Sequence, residues 1–329
     1  MRAYVLSTYG GPEVLGFSET PDPEPGPEEI LVAVRAAGVN NADLAQRAGR
    51  YPPPPPHPPV EIPGLEFAGE VVATGSEVRR HRPGDRVCGL LPGGGYAERV
   101  VTHERMAMPV PAGMSWVEAA AIPEVYLTTY DALFLQADLQ PYEQLLVHAI
   151  ASGVGTAALQ LALVTGATVY GTSRSADKCR RVREMGAAAV IEMSDPDRDF
   201  PQALLAASGG RAMDVVLDLV GGGYLGRNLA ALATRGRMVT LALKGGARAE
   251  LDLGLVMAKR LRLSGSGLRS RPLEEKITLS GAFARRCLPL FPSRLHPVVG
   301  AVLPWTEAAE AHRLLEASAV VGKVVLEVS

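Results

Sequence analysis

The chain has 329 residues, 47% of them in the AVILMFWYC set and 21% charged, with Lys+Arg 33 against Asp+Glu 35 and a formal net charge of -2. A length of this kind suggests about two domains, each burying its own core, and the near-neutral charge leaves no electrostatic footprint for nucleic acid or an anionic membrane. Three widely spaced cysteines, Cys88, Cys179 and Cys287, with no CxxC pair, exclude a disulfide framework and a cysteine-built zinc knuckle and fit a reducing compartment.

From the N-terminus to about residue 123, short apolar runs at 30–34, 69–73 and 85–90 are broken by Gly and Pro. They predict strands of an irregular β-rich domain. The start, Met1-Arg2-Ala3-Tyr4-Val5, lacks the long apolar region of a signal peptide, and no apolar run reaches about 18 residues, so the expected location is the cytoplasm, with no membrane partner. Tyr51 precedes a proline-rich run, residues 52–59, that favours a stiff polyproline II segment: a rigid surface loop or a docking site.

From 124 to 267 the rhythm becomes strand, helix, strand. Apolar runs at 145–149, 168–172, 188–191, 215–219, 238–242 and 261–263 are separated by helix-length stretches, the form of an α/β doubly wound parallel sheet of Rossmann type. After Gly267 follow an amphipathic stretch, a helix predicted over 306–317 and a closing strand over 323–328. The expected organisation is therefore a β-rich first part, 1–123, a nucleotide-binding domain, 124–267, and a return to the first domain over 268–329.

Within the second domain, the strand Leu145-Leu146-Val147-His148-Ala149 runs into Ile150-Ala151-Ser152-Gly153-Val154-Gly155 and then a helix. A helix N-terminus reached through small residues presents free N–H groups and a positive dipole end, which suits a pyrophosphate. Ile150 and Ser152 replace the first two glycines of GxGxxG, and Gly155 remains for close helix-to-strand contact. About 20 residues on, where NAD-preferring sites carry a carboxylate, stands Ser173 beside Arg174 and Lys178. A hydroxyl with two cations accommodates a 2'-phosphate, so NADPH is the expected cofactor, the alternative being an ordinary solvated helix start. His148 reads as a buried structural histidine.

Gly84-Asp85-Arg86-Val87, Ile62-Pro63-Gly64-Leu65-Glu66-Phe67-Ala68-Gly69, Ala119-Ala120-Ala121-Ile122-Pro123 and Ser152-Gly153-Val154-Gly155 resemble the medium-chain dehydrogenase/reductase superfamily, and within it the zinc-free quinone oxidoreductases. Leu91-Pro92-Gly93-Gly94-Gly95, Asn41-Ala42-Asp43-Leu44-Ala45-Gln46-Arg47, Ile122-Pro123-Glu124 and Leu268-Arg269-Ser270-Arg271 are similar to the tumour-suppressor-inducible branch. The resemblance implies a GroES-like fold for the β-rich domain. It also implies that metal is not used: zinc members carry a cysteine near Asn40 or Asn41 and a histidine where this chain has Leu65. Zinc stabilises an alkoxide during alcohol oxidation, whereas a quinone or enone is already an electron-poor acceptor, so the missing ligands point to reduction.

By the same resemblance, Asn40 and Tyr51 face the nicotinamide. Tyr51 is expected to donate a phenolic proton or to stack on a flat substrate; Ala45 stands where many relatives carry a second tyrosine. Ser152 approaches the nicotinamide or is simply a small residue tolerated in the turn. Thr128 and its neighbour Thr129, Leu243, Gly245 and Leu268 are implied cofactor contacts, and Lys323 reaches the cofactor phosphate or is an ordinary strand-end lysine. The catalytic candidates are thus Tyr51, Asn40 and Ser152. Cofactor contacts are expected at Asn40, Thr128, Ser152, Gly153, Val154, Gly155, Ser173, Arg174, Lys178, Leu243, Gly245, Leu268 and Lys323.

The function expected is NADPH-dependent, zinc-free reduction of quinones or related conjugated carbonyls. Two alternatives stand beside it: an enoyl thioester reductase, and a crystallin-like NADPH-binding protein with little turnover. A single-stranded RNA role has little support in 5% aromatics and this net charge. The strand near 261–266, last in the sheet, is expected to pair with its copy in a homodimer.

Overall fold

The computed structural model describes residues 1–55, 58–195 and 197–328; Pro56 and His57 of the proline-rich run lie outside them. The fold divides into two compact units, Met1–Leu127 together with Leu268–Ser329, and Thr128–Gly267.

In the first unit the described residues form a seven-stranded sheet. Its path runs Val299–Pro304, Lys323–Glu327, Glu29–Val39, Glu66–Thr74, Arg86–Leu90 and Ala107–Pro109, with Arg99–His103 also paired to Glu29–Val39. The strand expected at 30–34 extends to Val39, because Arg35 points out to solvent while Ala36, Ala37 and Val39 continue the buried face. Its far end pairs antiparallel with Lys323–Glu327, Val324 opposite Val39. That register sets Lys323 beside Asn40. The core beneath gathers Ile30, Val32, Phe67, Trp305 and Leu326, among others.

The second unit holds six parallel strands in the order Ala189–Glu192, Thr168–Ser173, Gln144–Val147, Met213–Asp218, Leu232–Thr240, Arg262–Gly265. This is the doubly wound order, reversing beside the strand that comes first in the chain; ligands bind beyond the carboxyl ends of strands at such a point. Gln144–Val147 is buried along its whole length, as a central parallel strand covered on both faces should be. The strand expected at 238–242 begins earlier, at Leu232, passes through Arg235 at φ 67° and pairs with Met213–Asp218 across an irregular register. Arg262–Gly265 lies at the sheet edge, mostly exposed. No helix among the described residues is long and apolar enough to cross a membrane.

Candidate active site

Where the strand Glu29–Val39 ends, Asn40 begins the helix Asn41–Arg47 with a capping box: the Asn40 N–H donates to Asp43 Oδ2 at 2.8 Å. The Asn40 side chain is held as well. Its Nδ2 donates to Glu66 Oε1 at 2.8 Å, and its Oδ1 accepts from Lys323 Nζ at 2.6 Å. Lys323 also donates to Val39 O at 3.0 Å and to Glu66 Oε1 at 2.6 Å, with side-chain exposures of 3% for the lysine and 0% for the glutamate. Gly38 makes room for this cluster, since any Cβ there would collide with the Glu66 carboxylate. Two sequence expectations change here. All three protons of the Lys323 ammonium have acceptors within the first unit, so the geometry does not offer it to a cofactor phosphate. The Asn40 amide is committed to the same cluster and is not poised to donate to a substrate oxygen.

Around this ion pair stand two more carboxyls. Asp43, fully buried, accepts from Gly64 N at 3.2 Å and from the Tyr96 hydroxyl at 3.4 Å, yet burial pushes its pKa up to about 7. Glu124, partly exposed in the first turn of the helix Pro123–Tyr130, is raised to about 8, by burial first and then by the charge of Glu66. Its backbone N–H donates to Glu66 Oε2 at 2.8 Å.

Tyr51 lies under the Arg269 guanidinium, 5.0 Å from ring centroid to Cζ. Arg269 is itself fixed by donating from Nε to Pro92 O at 2.7 Å, from Nη1 to Tyr51 O at 2.8 Å and from Nη2 to Gln46 Oε1 at 2.8 Å. Burial raises the Tyr51 phenol, the Glu124 charge raises it further, and Arg269 opposes both. Leu268, next to this arginine, is buried in the same unit.

In the second unit Ser152 caps the helix Gly153–Thr165, its Oγ accepting from Gly155 N at 3.1 Å. Gly155 packs so closely that a Cβ would come within 2.6 Å of the Ala149 carbonyl oxygen, which confirms the close approach read from its position. The first N–H groups of this helix, at Gly153 and Val154, have no intrahelical acceptor, as at any helix start. Thr128 is half-buried, and Thr129 Oγ1 donates to Val154 O at 3.4 Å. His148 is a buried structural residue, its ring nitrogens 2.8 Å from Thr172 Oγ1 and 2.7 Å from Asn228 Oδ1.

At the end of the strand Thr168–Ser173, Ser173 is buried and Arg174 exposed. Burial lowers the Lys178 pKa, and the charges of Arg174, Arg181 and Lys244 lower it further; Lys244 is depressed by burial and then by Arg174. The charge of Arg174 thus bears on both lysines, and that of Lys244 on Lys178. The sequence expectation took residues 243–246 as lining the cofactor through their backbone and did not name the Lys244 charge. Leu243 is 55% exposed, and Gly245 N donates to Val220 O at 2.7 Å. The tight helix N-terminus suits the pyrophosphate of a nicotinamide dinucleotide.

Residues 26–112 match the alcohol dehydrogenase GroES-like domain family, and residues 153–281 match the zinc-binding dehydrogenase family. The crystal structure of Escherichia coli quinone oxidoreductase complexed with NADPH is 32% identical and superposes with a TM-score of 0.88, over 99% of this chain and 100% of that one. The chain belongs to the zinc-free quinone oxidoreductase family of the medium-chain dehydrogenases/reductases. Like other members of that family it is an oxidoreductase fold that binds a nicotinamide cofactor. The CurK enoyl reductase structure is also similar, at 28% identity and TM-score 0.87, covering 100% of this chain and 99% of that one. A further similarity, 41% identity over 227 residues, is to the pikromycin polyketide synthase component PikAII of Streptomyces venezuelae; it covers 69% of this chain, which spans 6% of that protein's length.

The second family description implies zinc, but the residues present do not fit it. Leu65 is apolar and buried between Gly64 and Glu66, and no three His, Cys, Asp or Glu side chains among the described residues are grouped to hold a metal.

Proposed function

We propose that the protein is an NADPH-dependent reductase of quinones and related conjugated carbonyls that works without zinc. The observation that carries this reading is the group Arg174, Lys178 and Lys244 at a strand end where an NAD site would present a carboxylate. In this reading Gly153, Val154 and Gly155 approach the pyrophosphate, Ser152 holds the turn, and Ser173 with the three cations takes the 2'-phosphate. Thr128, Leu243, Gly245 and Leu268 complete the cofactor contacts. When bound, the nicotinamide supplies a hydride. Tyr51 supplies the proton or a flat stacking surface, while Asn40 and Lys323 fix the end of the strand from which Tyr51's segment departs. The likeness to a quinone oxidoreductase complexed with NADPH supports both cofactor and acceptor.

A second reading, an enoyl thioester reductase, is favoured by the likeness to an enoyl reductase and to a polyketide synthase component. Both readings share the hydride step. We further propose a cytoplasmic homodimer paired through Arg262–Gly265, because that edge is open in the sheet and Leu253 and Met257 beside it are 64% and 77% exposed.

Titration with NADPH and NADH, followed by fluorescence, tests the cofactor assignment. NADPH should bind more tightly in the native protein, and the preference should vanish in Arg174→Ala plus Lys178→Ala. An unchanged preference would overturn the phosphate assignment.

A further inference from the structure

The segment 79–86 carries four arginines and a histidine against one carboxylate, Asp85, in a chain whose net charge is -2. The reductase reading gives these charges no task. Within the first unit they border a cavity of about 530 Å³, which the strand Ala107–Pro109 and the helix Leu273–Arg286 also line. The helix contributes Ser280, Gly281 and Ala284, whose short side chains leave the space open. Ala107 and Met108, both buried, give it apolar surface.

The cavity is short of negative charge. Arg86 is fixed by donating from Nη2 to Met114 O at 2.9 Å and by its Cζ lying 4.0 Å from the Trp116 ring centroid. A neutral oxygen and a π face leave its charge without a carboxylate. Arg80 donates from its backbone N–H to Glu104 Oε2 at 2.7 Å, an oxygen that also accepts from Arg79 N, and Glu104 does not line the cavity. Among the described residues the Arg80 guanidinium has no hydrogen bond or ion pair of its own. Asp85 is matched within its own turn: Oδ2 accepts from Arg82 N at 3.0 Å and Oδ1 stands 3.6 Å from Arg82 Nε. Arg105 is paired with Glu274 at 3.0 and 3.2 Å. His81 Nε2 lies 3.2 Å from the Glu104 carbonyl, which only accepts, so that nitrogen carries a proton. Two guanidinium charges, those of Arg80 and Arg86, thus border the cavity with no carboxylate bonded to them.

We propose that this cavity binds an organic phosphate monoester, its phosphoryl oxygens on Arg80 and Arg86 and its apolar body against Ala107, Met108 and Ala284. A phosphate monoester carries about -1.5 to -2 charge at neutral pH, which matches two guanidinium groups, whereas a carboxylate matches one. The planar forks of arginine suit its oxygens. Small-molecule pockets span about 300–1,000 Å³, so the cavity is large enough to hold an organic body beside the phosphoryl group. The site lies wholly within the first unit and stands apart from the reductase reading, whose phosphate-binding residues Gly153, Gly155, Arg174 and Lys178 belong to the second.

The test uses the full chain labelled at its methionine methyl groups, with phenyl phosphate, benzoate and inorganic phosphate as probes. Phenyl phosphate should move the Met108 methyl resonance saturably in the nuclear magnetic resonance spectrum; Met108→Leu identifies that resonance. Benzoate should bind about 10-fold or more weakly, since one guanidinium is left unmatched, and inorganic phosphate should also be weaker, since the apolar lining stays uncovered. Arg80 is exposed and its side chain holds nothing in place, so Arg80→Ala should fold normally and weaken phenyl phosphate by about 10-fold or more. Arg80→Lys, which keeps the charge and loses the fork, should weaken it less. A Met108 resonance unmoved by millimolar phenyl phosphate would overturn the proposal, as would a shift that Arg80→Ala leaves intact or an affinity no higher than that for benzoate or inorganic phosphate. Phenyl phosphate bound only at the cations of the second unit would leave Met108 unmoved and ignore Arg80→Ala, which would sink this site without touching the cofactor assignment.

Discussion

The Lys323 ammonium stands 2.6 Å from Glu66 Oε1 with both side chains shut away from water, and Asn40 bridges the two. Lys323 comes from the last strand and Glu66 from near the start of another, 257 residues apart in sequence, and only the register of Val324 against Val39 brings them together. Removing one partner of a buried pair leaves the other charge uncompensated, at a cost of about 3–5 kcal/mol. Lys323→Met is therefore expected to lower the denaturation midpoint strongly. A lysine whose task was to hold a cofactor phosphate would instead weaken NADPH binding in a protein of native stability.

Tyr51 separates two roles by substitution. If its phenol delivers the proton, Tyr51→Phe should lower kcat by about 10²–10⁴ with little change in KM. If the ring only stacks, Tyr51→Phe should be nearly silent and Tyr51→Ala should raise KM. Steady-state kinetics on the pair of variants distinguishes the outcomes.

Lys244→Ala should weaken NADPH and leave NADH untouched. One charge-assisted hydrogen bond contributes about 1.5–3 kcal/mol, so the loss should be on the order of 10- to 100-fold in Kd. Calorimetric titration with both nucleotides checks it.

Lys244 also shows where reading the chain stops. Ser173, Arg174 and Lys178 fall together in one short segment, and the strand runs that build the parallel sheet are continuous and apolar, so both were legible. Lys244 follows a different strand, and nothing local in Leu243-Lys244-Gly245 says that the sheet carries it to Arg174. The same holds for Asp43, Glu66, Glu124 and Arg269. Each lies in a different motif, and the motifs marked kinship without revealing a shared site. One signal was available: Glu66 lies between the apolar Leu65 and Phe67 at the start of a buried strand, a place where a charge needs a partner.

Stability should fall as pH rises, and the sign follows from the two raised carboxyls. Asp43 and Glu124 hold protons in the folded chain up to about 7 and about 8, against ordinary values of 3.8 and 4.5. Between those limits the folded state binds more protons than the unfolded one, so their contribution is complete below the ordinary values and lost as pH passes the raised ones. Thermal unfolding from about pH 5 to 9 should show a declining Tm, with a shallower decline in Glu124→Gln.

The dimer is tested by Met257→Asp, an exposed position where the change should not disturb the monomer. Light scattering should give twice the chain mass for the native protein and the chain mass for the variant. A native protein at the chain mass would remove the edge-strand pairing.

The acceptor that the enzyme reduces distinguishes the two proposed functions. The most direct measurement is kcat/KM with NADPH for an ortho-quinone and for an enoyl thioester, read from the loss of nicotinamide absorbance on the same preparation. The quinone should be turned over with the higher kcat/KM, and chelators should leave the rate unchanged. Inertness toward quinones alongside rapid reduction of the thioester would contradict the account and establish the second reading.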